Sequence, residues 1–317
     1  MIGYRPPHAL LRPGIAVPFL LLVLIWGSTW LVIKDQLAPA PPAWSVAWRF
    51  IIAAAGMFLV ARLGGQGFRM TFSGHVLAVI IGLTQFSFNF NLVYEAEMRL
   101  TSGIVAVLFG LLLVPNAILS RIFLGHPVTS RFALGSVIGI AGIVLLLLHE
   151  TRVAEIGGVV GAGVMLVAAA ILSVSLANVV QASDTAKSTP LYTLLAWSMM
   201  WGMLANIAYA WVVAGPPVIP ESPRYWAGVA YLAVIGSVVS FPLYFRLIRD
   251  LGAGRAAYNG VLVPVVAMAL STVFEDYRWT WLAAVGAALA LVGTVVALRG
   301  RQLPPPMPET NPLNPSR

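Results

Sequence analysis

The sequence predicts an all-α integral membrane protein whose ten transmembrane helices form two inverted five-helix repeats around a central cavity. Three observations carry that expectation. Hydrophobic residues make up 59% of the 317 and charged residues only 9%, with a mean hydropathy of +0.88. A soluble domain averages about 25% charged residues, so this chain could not clothe a water-facing surface. The apolar residues also come in runs of about 20, the length that crosses a hydrocarbon core of about 30 Å. Finally, an ordered set of residues recurs half a chain later.

Spans are expected over 15–34, 42–62, 73–93, 101–123, 130–148, 157–180, 190–213, 224–248, 255–274 and 278–298. The first apolar run, Ile15 to Ile33, follows Arg5 and Arg12; it is too long for a signal peptide and lacks a small-residue cleavage site. Loops are short and marked by Pro and Gly, as at 39–42, 64–67 and 215–223. The expected organisation is a cytoplasmic N-terminal segment (1–14), a first repeat (15–148), a second repeat (149–298) and a disordered cytoplasmic tail (299–317) holding Pro304, Pro305, Pro306 and Pro308. With the N-terminus inside, thirteen Lys and Arg fall in cytoplasmic segments and five outside, which sets the orientation and puts both termini in the cytoplasm. Arg far outnumbers Lys and Ala is abundant, which points to a GC-rich bacterial genome and so to the bacterial inner membrane.

The repeat is read from Tyr94, Leu100-Thr101-Ser102-Gly103, Pro115, Thr129, Gly135 and Gly142, matched by Tyr244, Leu251-Gly252-Ala253-Gly254, Pro264, Thr280, Gly286 and Gly293. The offset stays within 149–151 residues. Each series ends in two glycines seven residues apart, which lets a neighbouring helix approach closely. An odd number of helices per repeat forces the second copy to enter from the opposite side, a plan that recurs in transporters with a site near the midplane.

Trp26-Gly27-Ser28-Thr29-Trp30, then Lys34, Pro41-Pro42 and Arg49-Phe50, resembles the opening of EamA-type members of the drug/metabolite transporter superfamily. The Pro-bearing fourth and ninth helices, each followed by a polar corner and a Gly-rich helix, resemble that family too. The resemblance covers about residues 15 to 298 and implies a ten-helix inner-membrane carrier working by alternating access. The superfamily handles amino acids, nucleotide sugars, phosphorylated sugars and drugs; the resemblance extends to YddG-type exporters of aromatic and other neutral amino acids. Where the family often has Gly-Glu before its fifth helix, this chain has Gly125-His126, and Glu275-Asp276 stands at the equivalent place in the second half.

Polar groups within a bilayer are costly, so each calls for a partner or a task. Ser87, Phe90, Asn91 and Tyr94 share one face of the third helix, and Ser237, Ser240, Phe241 and Tyr244 share the equivalent face of the eighth. They are expected either to line a cavity for a small polar or aromatic solute, or to hold helices together by hydrogen bonds. Trp26, Ser28, Thr29 and Trp30 sit too deep in the first span to be interfacial anchors and are assigned to the lining. Asn178, Tyr258 and Asn259 join the substrate-binding set, with Asn116, Trp197, Trp201 and Asn206 as further lining residues.

Pro115, Pro264 and Pro242 each free a carbonyl four residues earlier and are read as hinges, the alternative being a static bend. Arg49 has two readings: an anion contact, or a structural role in which its long stem reaches the interface or freed carbonyls.

Other classes are set aside on composition. Basic residues are never clustered with aromatics, which argues against nucleic acid. There is no cysteine, and the four histidines lie at helix ends or outside, so neither a metal, a cofactor nor an intramembrane enzyme is expected. The expected partners are a small-molecule substrate and the lipid bilayer, with one chain enclosing the whole pathway as a monomer. The expected function is export of neutral or aromatic amino acids or similar small metabolites. With no Asp or Glu in mid-span, movement by facilitated diffusion is expected; the alternative is proton-coupled efflux of drugs or organic cations.

Overall fold

A computed structural model describes residues 13–125, 128–153, 157–244 and 259–300. Ten helices stand where the ten spans are expected: α1 (Pro13–Gln36), α2 (Pro42–Leu63), α3 (Phe72–Glu97), α4 (Ser102–Phe109, Gly110–Leu112 and Leu113–Leu124 in succession), α5 (Ser130–Val153), α6 (Gly157–Gln181), α7 (Leu191–Ala214), α8 (Pro223–Tyr244), α9 (Asn259–Phe274) and α10 (Trp281–Gly300). A further one-turn helix, Asp184–Ser188, links α6 to α7. Among the described residues eight of these are long and apolar enough to cross a membrane, and α9 and α10 are further apolar helices. No strand occurs among the described residues.

The packing shows the two halves directly. Helix α1 packs on α9 as α6 packs on α4; α3 lies against α6 and α7 as α8 lies against α1 and α2. Exchanging each helix for its mate five places on maps every one of these contacts onto another. Three contacts map onto themselves, α2 with α7, α4 with α9 and α5 with α10.

The α5–α10 contact is what the paired glycines are for. A Cβ on Gly142 would lie 2.4 Å from the backbone nitrogen of Ala290 and 2.6 Å from the carbonyl of Gly286. A Cβ on Gly293 would lie 2.2 Å from the backbone nitrogen of Gly139. The glycines of each series therefore face those of the other, and the backbones touch without side chains between them.

Helices α3 and α8 share an irregularity that the periodicity did not disclose. Gly82–Phe88 in α3 and Tyr231–Val239 in α8 are π-helical. The first contains no proline; in α8, Pro242 follows just beyond the segment. Pro115 comes three residues after the 3-10 turn Gly110–Leu112, and Pro264 lies inside a continuous α9. The matched local distortions are thus in α3 and α8 rather than at the matched prolines.

Helix ends are tied by side chains. The α4 N-terminus is capped by Glu275, whose carboxylate accepts from Ser102 N–H at 3.3 Å and from the Ser102 hydroxyl. Asp276 adopts φ 54°, a left-handed conformation that turns the chain directly after Glu275. Lys34 donates from Nζ to the carbonyl of Glu97 and, at 3.0 Å, to that of Leu100, which neutralises the C-terminal end of α3. Trp44 and Trp48 donate their indole N–H groups to Gly215 and Val218 carbonyls, fixing α2 to the segment between α7 and α8.

Filling the glycine contact is expected to destabilise the protein by about 1–3 kcal/mol, the usual cost of overpacking. Gly293→Leu should lower the thermal unfolding temperature in detergent. Gly161→Leu, on an α6 surface with nothing within 4 Å of the added carbon, should leave it unchanged.

Candidate functional site

Arg49 stands at the junction of the two halves. It projects from α2 and is only 2% exposed. Its Nε and Nη2 donate to Ser237 Oγ of α8 at 3.3 and 3.1 Å, and the Ser237 hydroxyl in turn donates to the Leu232 carbonyl at 2.9 Å. That last bond spans five residues, so the π-helical register of α8 is what aims Ser237 at the guanidinium. The guanidinium carbon lies 4.2 Å from the Phe90 ring centre and 5.5 Å from that of Phe50. Such a cation–π contact is worth about 2 kcal/mol when desolvated.

From Arg49 a chain of touching rings runs through the interface between the halves. Phe90 meets Phe50 at 5.0 Å between centres, Phe50 meets Phe86 at 5.5 Å, and Phe86 meets Phe241 at 5.1 Å. Phe241 meets Trp26 at 5.9 Å, and Trp26 meets Tyr244 at 5.0 Å. Four helices, α1, α2, α3 and α8, contribute to this array. Trp26, Phe90 and Tyr244 stay partly exposed, whereas Phe50 and Phe86 are buried. A second arm joins Trp30 to Phe109 of α4 at 5.0 Å.

The expected site residues thus divide into two groups. Trp26, Phe90, Phe241, Tyr244, Ser237 and Arg49 come together in the array. Ser28 shares a 2.7 Å hydrogen bond with Tyr231 of α8 and so borders it. Others serve as ties. Asn91 donates to Asn206 Oδ1 of α7 at 2.8 Å, and Asn206 donates to the Phe86 carbonyl at 3.0 Å. Asn178 donates to Asn116 at 3.3 Å, joining α6 to α4. Thr29 and Ser240 return their hydroxyls to carbonyls of their own helices, Trp26 and Gly236, at 2.8 and 2.7 Å. Ser87 is buried in the π segment of α3. Asn259 is 2% exposed, and neither of its amide atoms has a partner among the described residues. Tyr258 lies outside the described residues.

A second polar group lies beside Arg49, of which sequence reasoning named Tyr94 but missed Gln36 and Glu97. Tyr94, fully buried, lies next to the guanidinium and donates to Gln36 Oε1 of α1 at 3.0 Å. Glu97, the last residue of α3, is 0% exposed, and neither carboxyl oxygen has a hydrogen-bond partner among the described residues. Gln36 Nε2 and Arg49 Nη1 are likewise buried without partners. The expected third span ended at 93, and α3 runs four residues further, which carries Glu97 against α1 and α2.

A cavity of about 450 Å³ opens elsewhere, between α4, α9 and α10, with an apolar lining that includes Val107, Pro264, Met268, Trp279 and Leu291. Of the expected site residues, Pro264 alone lines it. Among the described residues no three His, Asp or Glu side chains gather as metal ligands would.

Comparison with known proteins places this arrangement. The model of the EamA-like transporter family matches residues 14–148 and again 161–299. Protein PagO of Salmonella typhimurium (strain LT2) is 24% identical over 90% of this chain and 92% of its own length. The "Uncharacterized inner membrane transporter YedA" of Escherichia coli (strain K12) is 27% identical over 92% of this chain and 93% of its own. A third relative, named "Probable amino-acid metabolite efflux pump" in Escherichia coli (strain K12), is 24% identical over 89% and 93%. A solved crystal structure superposes with a TM-score of 0.65 at 20% identity, covering 92% of this chain and all of the other, which is a likeness of fold.

Ser237→Ala should destabilise the protein by about 1–3 kcal/mol, because it strips the buried guanidinium of its acceptor. Ser240→Ala should stay within about 0.5 kcal/mol, since it removes a bond within one helix. Both are read from unfolding in detergent. A double-mutant cycle on Asn91 and Asn206 should give a coupling near the ~0.6 kcal/mol average for hydrogen bonds between membrane helices.

Proposed function

The chain belongs to the EamA-like transporter family and is a multi-pass membrane transporter, and from that premise we propose that it exports neutral or aromatic amino acids, or similar small metabolites, across the bacterial inner membrane by alternating access. The observation that carries the substrate class is the ring array from Tyr244 and Trp26 to Phe90 and Arg49 at the junction of the halves. Partly exposed aromatic rings suit an apolar or aromatic side chain, and the buried guanidinium with its free Nη1 suits a carboxylate at the end of the array. The name of one relative, an amino-acid metabolite efflux pump, supports the same class.

In this reading Trp26, Ser28, Trp30, Phe90, Ser237, Phe241 and Tyr244 border the path, and Asn91, Asn178 and Ser240 hold the helices that form it. The prolines 115, 242 and 264 are hinges, working with the π segments of α3 and α8. The distribution of Lys and Arg supports cytoplasmic termini, and in this reading one chain forms the complete pathway.

The absence of an acid in mid-span points to facilitated diffusion, with a proton-coupled cycle as the alternative. Glu97 sits at a helix end yet is wholly buried, which favours a proton-coupled cycle with the same substrate class.

Counterflow into proteoliposomes tests the substrate class. Labelled neutral and aromatic amino acids should exchange saturably, while lipophilic cations should not; cation transport alone would move the assignment to drug efflux. Trp26→Ala should raise the half-saturation concentration by up to about tenfold, matching the ~0.5–1.5 kcal/mol of an aromatic pair. Leu172→Ala, on an exposed face of α6, should leave it unchanged.

A further inference from the structure

We propose that Glu97 is a proton-binding residue, taking up one proton per transport cycle from the side on which α1, α3 and α9 end. The inference deepens the transporter reading, and one arm of its test is independent of that reading.

Glu97 is 0% exposed, and neither carboxyl oxygen touches a water-sized space or a donor. A substrate ammonium or a metal ion would need room and further ligands that the site does not offer. The species that fits is a proton. The bond that forms is the carboxyl O–H: the proton comes from water on the side where α1, α3 and α9 end, when those ends part. It leaves to water on the opposite side after the halves have exchanged conformations, so one proton crosses per cycle.

The surrounding charges explain why the carboxyl is left alone. On α1, Lys34 lies within electrostatic range but spends its ammonium hydrogens on the carbonyls of Glu97 and Leu100. Asp35 of α1 is paired with Arg224 of α8 at 2.7 Å, near the surface. On α2, Arg49 lies within electrostatic range and directs Nε and Nη2 to Ser237. Glu275, at the end of α9, adds a like charge and is bound by Ser102; Asp276 follows it. On α3 itself, Tyr94 is committed to Gln36, and Glu95 pairs with Arg99 at 3.0 Å. Helix α6, packed along α3, carries no ionisable residue. Around this carboxyl the two nearest cations are held by other acceptors and neither carboxyl oxygen has a donor, so a proton is the one partner the site has room for while the helix ends are closed.

The placement also supplies a link to substrate. Glu97 is three residues from Tyr94, which touches both Arg49 and Gln36. Movement of Arg49 on binding a carboxylate would disturb Tyr94, one turn back from Glu97 on the same helix, and through it Gln36.

Two measurements test the proposal. In the first, infrared difference titration of the detergent-purified protein should show a carbonyl stretch of a buried carboxylic acid at neutral pH. That band should vanish in Glu97→Gln and move in Glu97→Asp. The second uses proteoliposomes carrying a pH dye. Wild type should move protons when substrate is added, and Glu97→Gln should keep ungradiented counterflow within about threefold while losing proton movement and the pH dependence of efflux. Should Glu97→Gln fail to fold, Glu97→Asp carries the test through a shifted pH profile. An unchanged band, or proton movement undiminished in Glu97→Gln, overturns the assignment. Failure of counterflow in wild type would overturn the substrate class alone, because the infrared band does not depend on substrate.

Discussion

Within a bilayer core no water is at hand to satisfy a polar group, so every buried N–H, carbonyl and hydroxyl must find its partner inside the protein or remain without one. Most side chains of this protein meet the constraint locally. Ser28, Thr29, Thr84, Ser136, Ser175, Ser240, Thr272 and Thr294 all donate to a carbonyl three or four residues back on their own helix. The groups that cannot do so are the ones that organise the interior. Arg49 has no acceptor on α2 and must cross to Ser237 on the other half; Asn91 must cross to Asn206. Of the buried groups left without a partner among the described residues, several are amides, indoles and hydroxyls; the carboxyl of Glu97 and the Nη1 edge of Arg49 are the acid and the base of that set.

The two halves share a plan but not a chemistry. At the repeat offset of 149, the mate of Arg49 is Ser198, a buried hydroxyl of α7 without a partner among the described residues. The second copy therefore offers a small neutral group where the first offers a cation stacked on Phe90. The acid at the corner between the fourth and fifth helices of each repeat shows a similar divergence. Glu275 caps α4 from the end of α9, while the corresponding His126 lies outside the described residues. Symmetry supplies the scaffold, and at these positions the two copies depart from it.

Much of the fold was legible in the sequence because its signals are long and additive. Twenty apolar residues in a row and a Lys/Arg bias survive errors of a few residues, and the glycine pairs at 135, 142, 286 and 293 pointed correctly to a close helix contact. The candidate site was legible in part. Trp26, Phe90, Phe241, Tyr244 and Arg49 were recognisable because bulky or charged residues deep in a span are uncommon. What escaped was register. A π segment inserts an extra residue into the turn, so a face drawn at 3.6 residues per turn across Ser87 to Tyr94 cannot be carried through it, and nothing in Gly82–Phe88 advertises the irregularity. Glu97 escaped for a related reason: hydropathy falls at the end of a span, and a residue there is assumed to be wet unless its neighbours are known to cover it.

The contact between α5 and α10 carries a last implication. A pair of helices that are each other's repeat mates presents the same geometry whichever half plays which part. When two halves trade conformations to open one side and then the other, contacts between non-mates must be exchanged for their counterparts, whereas a contact that is its own image has nothing to become. Backbones pressed together through Gly135, Gly142, Gly286 and Gly293 have no side chains to re-rotamer and no slack to yield. In the alternating-access cycle proposed above, such a contact would serve as an axle about which the remaining helices rock.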